Sequence, residues 1–148
     1  PTGSQIVSAS WDNTLRIWDA DLGTELTLLG GRFGHKKRVA SCAYSTDGSL
    51  VISGAWDCSV KLWDVSTGEC LKTLKGHIKP VNAVAFSEDA ERAASASWDC
   101  SIKIWDVYSG KCTATLTGHS QSIRSVTFAP NNRHLISTAA DCSMRIWD

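Results

Sequence analysis

The chain is 148 residues long and 43% hydrophobic, and its 15 basic and 15 acidic side chains balance to zero net charge. No run of like charge offers the electrostatic footprint that a nucleic-acid backbone or an anionic membrane requires, so neither is expected as a partner. No stretch approaches the roughly 18 uninterrupted apolar residues that span a bilayer, and Pro1 to Gln5 is not read as a signal peptide.

Alternating apolar and polar residues, bounded by clusters of Gly, Asp, Asn and Ser, predict short strands throughout and give no helix signal. Ile6 to Ala9, Leu15 to Asp19 and Glu25 to Leu29 come first. Then follow Val39 to Tyr44, Leu50 to Gly54, Val60 to Asp64 and Cys70 to Leu74, joined by turns at Thr46-Asp47-Gly48, Trp56-Asp57-Cys58 and Ser66-Thr67-Gly68. The same group of four recurs as Val81 to Phe86, Arg92 to Ser97, Ile102 to Asp106 and Cys112 to Leu116. A last group holds Ile123 to Phe128, His134 to Thr138 and Met144 to Trp147. Fourteen strands are expected, in groups of three, four, four and three.

Side chains repeat with the strands. His35, Ser53, Asp57 and Trp63 form one set, His77, Ser95, Asp99 and Trp105 a second, and His119, Ser137, Asp141 and Trp147 a third, with identical internal spacing. Each His follows a Gly and each Trp precedes an Asp. A partial copy, Ser8, Asp12 and Trp18, opens the chain. Successive Trp-Asp pairs are 45, 42 and 42 residues apart, and the extra three fall at Gly31-Arg32-Phe33.

His, Ser and Asp also compose a hydrolase triad, but an active site needs one constellation and this chain repeats its own. A buried carboxylate on a strand-to-strand turn must be hydrogen-bonded, and imidazole, hydroxyl and indole groups supply a relay from Asp to Trp. The sets are therefore read as architecture, with no catalytic residue. No phosphate loop, no C-x-x-C pair and no His pair at ligand spacing occurs, so no metal, no cofactor and no enzymatic activity are expected.

Cys58, Cys100 and Cys142 occupy one position of successive repeats, too far apart for a disulfide, and Cys42, Cys70 and Cys112 sit in strands. Free thiols point to a reducing setting, cytoplasmic or nuclear. In strand three the basic residues Arg16, Lys61, Lys103 and Arg145 share a face with the Trp. Their stems are expected to cover apolar surface while the heads reach water or the Asp of the Trp-Asp pair.

The Gly-His and Trp-Asp pairs, in register with the His, Ser, Asp and Trp quartet, resemble the WD-repeat β-propeller family over essentially the whole chain. The first copy shows no His, and Ala140 stands where Trp11, Trp56 and Trp98 precede the other turn Asp residues. The resemblance implies an all-β fold, an arc of four-stranded antiparallel blades. The chain divides into a partial blade (1–34), two whole blades (35–76 and 77–118) and a partial blade (119–148), the first lacking its innermost strand and the last its outermost. Such rings close with about four to eight blades, so further blades or another copy of the chain are expected at the open edges.

The resemblance also implies a non-catalytic scaffold that docks proteins or peptides on the face bearing the turns between strands two and three. Two alternatives stand beside it: a ligand-sensing propeller attached to a separate NTPase or protease effector, and a self-assembling half-ring. The positions implied for partner binding are Trp11, Trp56 and Trp98 in the turns, with Arg38, Ala40, Pro80, Asn82, Ser122 and Arg124 near the starts of the innermost strands. Aromatic anchors beside Arg suit a binding hot spot; the other reading is that each Trp folds back on the neighbouring blade and stiffens it.

Overall fold

The computed structural model describes residues 3–148; Pro1 and Thr2, which the sequence reading places in the first partial blade and in the segment inspected for a signal peptide, lie outside the described residues. Fourteen strands form four antiparallel sheets. The first holds β1 (Gln5–Ala9), β2 (Leu15–Asp19) and β3 (Glu25–Leu29). The second holds β4 (Val39–Tyr44), β5 (Leu50–Ala55), β6 (Ser59–Asp64) and β7 (Cys70–Lys75). The third holds β8 (Val81–Phe86), β9 (Arg92–Ser97), β10 (Ser101–Asp106) and β11 (Cys112–Thr117). The fourth holds β12 (Ile123–Phe128), β13 (Leu135–Ala139) and β14 (Met144–Trp147). Within each sheet the strands pair in chain order, and the inner strands β4, β8 and β12 lie side by side.

Several strands run one residue longer than expected, and two further details depart from the sequence reading. The inserted Gly31–Phe33 forms a 3-10 turn, where the sequence carries no helix signal. β13 begins at Leu135, because the His134 imidazole is held in the preceding turn by the Asn131 amide at 2.9 Å. Asp148 also lies 3.8 Å from its Nε2.

Period-two alternation gives each sheet two apolar faces, and neighbouring sheets meet face to face. Leu15, Ile17 and Leu29 of the first sheet pack on Val39, Val51, Ala55 and Trp63 of the second. Ile52, Val60, Leu62 and Leu74 pack on Val81, Val84, Ala93 and Trp105, and Ala94, Ala96 and Ile102 on Ile123, Val126 and Leu135. The core is thus distributed between sheets rather than enclosed by one. Met144 and Ile146 carry the same pattern on the outward face of the fourth sheet, where both are 67% exposed.

Two sheets approach closely at Gly54. A Cβ there would lie 2.6 Å from Val81 Cγ1 and 2.9 Å from Val84 Cγ1, both belonging to buried residues of the next sheet. Gly54→Ala should lower stability by about 1 kcal/mol, because two branched side chains must move apart in a packed seam. Ala96, which holds the equivalent place one repeat later, marks the spacing a methyl tolerates; a urea midpoint equal to wild type in the Gly54 variant would contradict this packing.

Candidate functional site

Each complete quartet closes as a chain of hydrogen bonds. In the third sheet the Trp105 indole N–H donates to Ser95 Oγ at 2.8 Å, Ser95 Oγ meets His77 Nε2 at 2.8 Å, and His77 Nδ1 meets Asp99 Oδ2 at 2.8 Å. Because an ionised carboxylate only accepts, Nδ1 carries the proton toward Asp99, and Nε2 accepts from the serine hydroxyl. The fourth sheet repeats this: Trp147 to Ser137 at 2.9 Å, Ser137 with His119 at 2.8 Å, and His119 with Asp141 at 2.9 Å. In the second sheet the distances are 2.8 Å for Trp63 to Ser53, 2.7 Å for Ser53 with His35, and 3.1 Å for His35 with Asp57.

The opening copy is different. Trp18 donates to Ser8 at 2.8 Å, but Asp12 stands apart from them. It is exposed, accepts from the Thr14 hydroxyl at 2.6 Å and approaches Arg16 at 3.4 Å. Grouping Asp12 with Ser8 and Trp18 is therefore corrected: without an imidazole between them, nothing draws the carboxylate inward.

Two partners escaped the sequence reading. Ser59, Ser101 and Ser143 donate their hydroxyls to Asp57, Asp99 and Asp141 at 2.6, 2.6 and 2.7 Å. The backbone N–H after each His donates to the same carboxylate, from Lys36 at 2.8 Å, Ile78 at 3.2 Å and Ser120 at 3.0 Å. The recurring Asp-Cys-Ser triplet was the available signal, since Asp two residues before Ser is an Asx-turn pattern. Between those two residues, Cys58, Cys100 and Cys142 adopt positive φ of 68°, 66° and 62°, where the first copy places Asn13. All six cysteines are free.

Burial pushes the Asp57 and Asp99 carboxyls up, but the hydrogen bonds from His35 and Ser59, and from His77 and Ser101, outweigh it and hold both far below the usual carboxylate range. Asp141 is lowered likewise, first by Ser143 and then, against burial, by His119. The three imidazoles have no exposed side-chain surface, and Ser53, Ser95 and Ser137 are buried with their oxygens already shared between imidazole and indole. A hydroxyl so placed is braced on two sides and turned from solvent.

The rim around these quartets carries the positions implied for partner binding. Ala40, Asn82 and Arg124 fall at register shifts between the inner and second strands, where one extra residue bulges out of the ladder. A bulge re-aims its side chain, and here Ala40 and Arg124 reach the surface. Asn82 does not stay free: its Nδ2 donates to the Ile123 carbonyl at 3.0 Å and ties the third sheet to the fourth. Pro80 and Ser122 serve through their carbonyls, which accept the N–H of Trp98 and of Ala140, both at 2.9 Å.

The Trp turns make contacts between sheets, as the bracing reading expects, while Trp11 stays open to solvent. Trp11 is 69% exposed, and Arg38 stacks between it, at 4.2 Å, and Trp56, at 5.3 Å. Trp56 and Trp98 pack at 5.2 Å across the seam between the second and third sheets. A continuous aromatic and guanidinium row thus crosses three sheets, and it stops where Ala140 replaces Trp. The buried indole N–H of Trp98 has no hydrogen-bond partner, and no metal-binding cluster occurs among the described residues. Between the first two sheets the row borders a cleft of about 360 Å³ lined by Trp11, Asn13, Lys36, Lys37, Arg38 and Trp56. The nearby Asp12 and Asp57 are already engaged, which leaves the cleft cationic.

The basic row of strand three is partly corrected. Arg16 reaches Asp12 and Glu25, at 3.4 and 3.6 Å, while Lys61 and Lys103 bond Thr73 and Thr115 at 2.7 and 3.0 Å. None of these heads meets the Asp of its Trp-Asp pair; Asp64 and Asp106 spend their oxygens on the turns that follow. The stems do cover the Trp face: a Cβ on Gly76 would touch Lys103 Cε and Trp105 Cη2, both at 3.3 Å, which is why Gly precedes His there.

Four sheets of matching register, braced by a repeated His, Ser, Asp and Trp relay, define a β-propeller-type repeat protein. The family model described as WD domain, G-beta repeat matches residues 1–19, 27–64, 68–106 and 110–148, and the chain belongs to the WD-repeat family. Domains of this family generally act as non-catalytic scaffolds for protein interaction. No curated protein matches the chain.

Proposed function

We propose that this protein is a non-catalytic scaffold that captures protein or peptide partners on the rim formed by Trp11, Arg38, Trp56 and Trp98. The observation that carries the reading is Arg38 clamped between Trp11 and Trp56 at the mouth of a cationic cleft. Rigid indoles supply contact area at low entropic cost, and a stacked guanidinium keeps its fork free for a carboxylate or carbonyl. Clusters of Trp and Arg are the side chains most enriched among binding hot spots.

Peptides selected from a random display library against the wild-type protein should lose about 30-fold or more in affinity against the Trp11→Ala, Trp56→Ala double variant, which corresponds to about 2 kcal/mol. Unchanged circular dichroism in the double variant checks the fold. Equal affinity for both proteins would retire the rim as the docking surface.

The exposed Met144 and Ile146 favour a second reading, self-association. Their counterparts Leu15 and Ile17, Val60 and Leu62 are each buried beneath the next sheet, so a first sheet from another copy could cover them by the same packing. Sedimentation that returned only monomer across the accessible concentration range would dismiss it.

A further inference from the structure

Lys61 is the most buried of the basic side chains in strand three, and no ion pair balances it. It is 7% exposed, and its ammonium bonds the Thr73 hydroxyl at 2.7 Å and approaches Cys70 Sγ at 3.9 Å. Among the described residues no carboxylate lies within ion-pair distance of it. The register explains the difference. Opposite Trp18 the outer strand carries Glu25, which pairs Arg16; opposite Trp63 it carries Cys70, and opposite Trp105, Cys112. Lys103 shares the loss but is more open to water, whereas Lys61 is buried beside the inserted 3-10 turn.

A buried ammonium with one neutral partner pays a desolvation cost that an anion would offset. The space for one is there. A cleft of about 360 Å³ lies between the insertion and β7, lined by Arg32, Phe33, Lys36, Asp57, Lys61 and Lys75 among others. Four cations face it against one carboxylate, and Asp57 is already held by His35, Ser59 and the Lys36 N–H. The Lys36 ammonium also holds the Arg32 carbonyl at 3.0 Å, which fixes the insertion over the cleft. Lys36 borders the Trp rim as well, so the two clefts adjoin.

We propose that this cleft binds a phosphate monoester, carried by a phosphorylated side chain of a peptide docked on the adjoining rim. A phosphate dianion matches four cations better than a single carboxylate does, and its three terminal oxygens can take Lys61, the Arg32 fork and Lys75 together. Only the source of the phosphate rests on the rim reading; the site itself stands on Lys61 and its neighbours.

The test is a titration of the isotopically labelled protein with inorganic phosphate, phosphoserine and serine at constant ionic strength, followed by amide chemical shifts. Saturable shifts at Gly34, Lys36 and Lys75 with both phosphate probes and none with serine are expected. Lys61→Met, an apolar replacement of similar length, should weaken phosphoserine about 10-fold or more, and Lys103→Met should leave it unchanged. If Lys61→Met perturbs the fold, the exposed pair Arg32→Gln, Lys75→Gln should give the same weakening. No saturable shift, or shifts that survive both variants, would overturn the site. A response to inorganic phosphate without one to phosphoserine would overturn its assignment to a partner side chain. Neither result touches the Trp11 and Trp56 experiment, whose peptides carry no phosphate.

Discussion

Trp105→Ala should destabilise the protein by about 3 to 5 kcal/mol, the largest single effect expected among side chains of the quartets. The indole is 2% exposed and fills the seam against Ile52, Val60, Leu62 and Leu74 of the preceding sheet. Its N–H also gives Ser95 one of its two partners, at 2.8 Å. Truncation therefore opens a cavity beside Gly76, which has no side chain to fill it. The melting midpoint should fall by on the order of 10 °C. Trp18→Ala provides the comparison: Trp18 makes the same bond to serine but is only half-buried, so its loss should be clearly smaller. Equal losses at the two positions would mean that the serine bond, not the seam, carries the energy.

Asp99→Ala should cost about 3 kcal/mol at neutral pH, because it strips an acceptor from four donors at once. His77 Nδ1, the Ser101 hydroxyl, the Ser101 N–H and the Ile78 N–H all converge on this carboxylate. His77 and Ser101 are buried, so water does not readily replace what is lost. Asp12→Ala, at the same place in the opening copy, removes an exposed carboxylate that touches no imidazole and should have a smaller effect.

The same geometry sets the acid limit. Asp57, Asp99 and Asp141 have folded pKa values lowered below the unfolded one of about 3.9, so their contribution is present above that value and is lost as pH falls through the folded values. Urea midpoints should hold near neutrality and decline from about pH 5 downward. Asp99→Asn should narrow its gap to wild type as the solution is acidified, since the unfolded wild-type chain takes up a proton there that the folded carboxylate resists, and Asn has none to take. A gap that stays constant from pH 7 to pH 2 would show that ionisation of Asp99 is not what the quartet uses.

Sequence by itself determined the repeat, the fourteen strands and the groups of three, four, four and three. The reason is that period-two alternation and turn chemistry are local, and exact recurrence multiplies a weak local signal. His, Ser, Asp and Trp could be assigned to one relay in each complete copy because spacing puts Ser and Trp on adjacent strands and Asp in the turn that joins them, with His entering from the preceding loop. Asp12 shows where that inference stops: its spacing matches Asp57, but without an imidazole it turns outward.

Tertiary structure decided what depends on a neighbouring sheet. That a turn Trp braces its neighbour hinged on Arg38 stacking between Trp11 and Trp56, and on Trp56 meeting Trp98 from the next repeat, contacts no single repeat contains. The engagement of Asn82 with the next sheet, the close approach at Gly54 and the isolation of Lys61 are of the same kind. Each repeat encodes its own ladder, but the energies that distinguish equivalent positions arise only when one sheet covers the next.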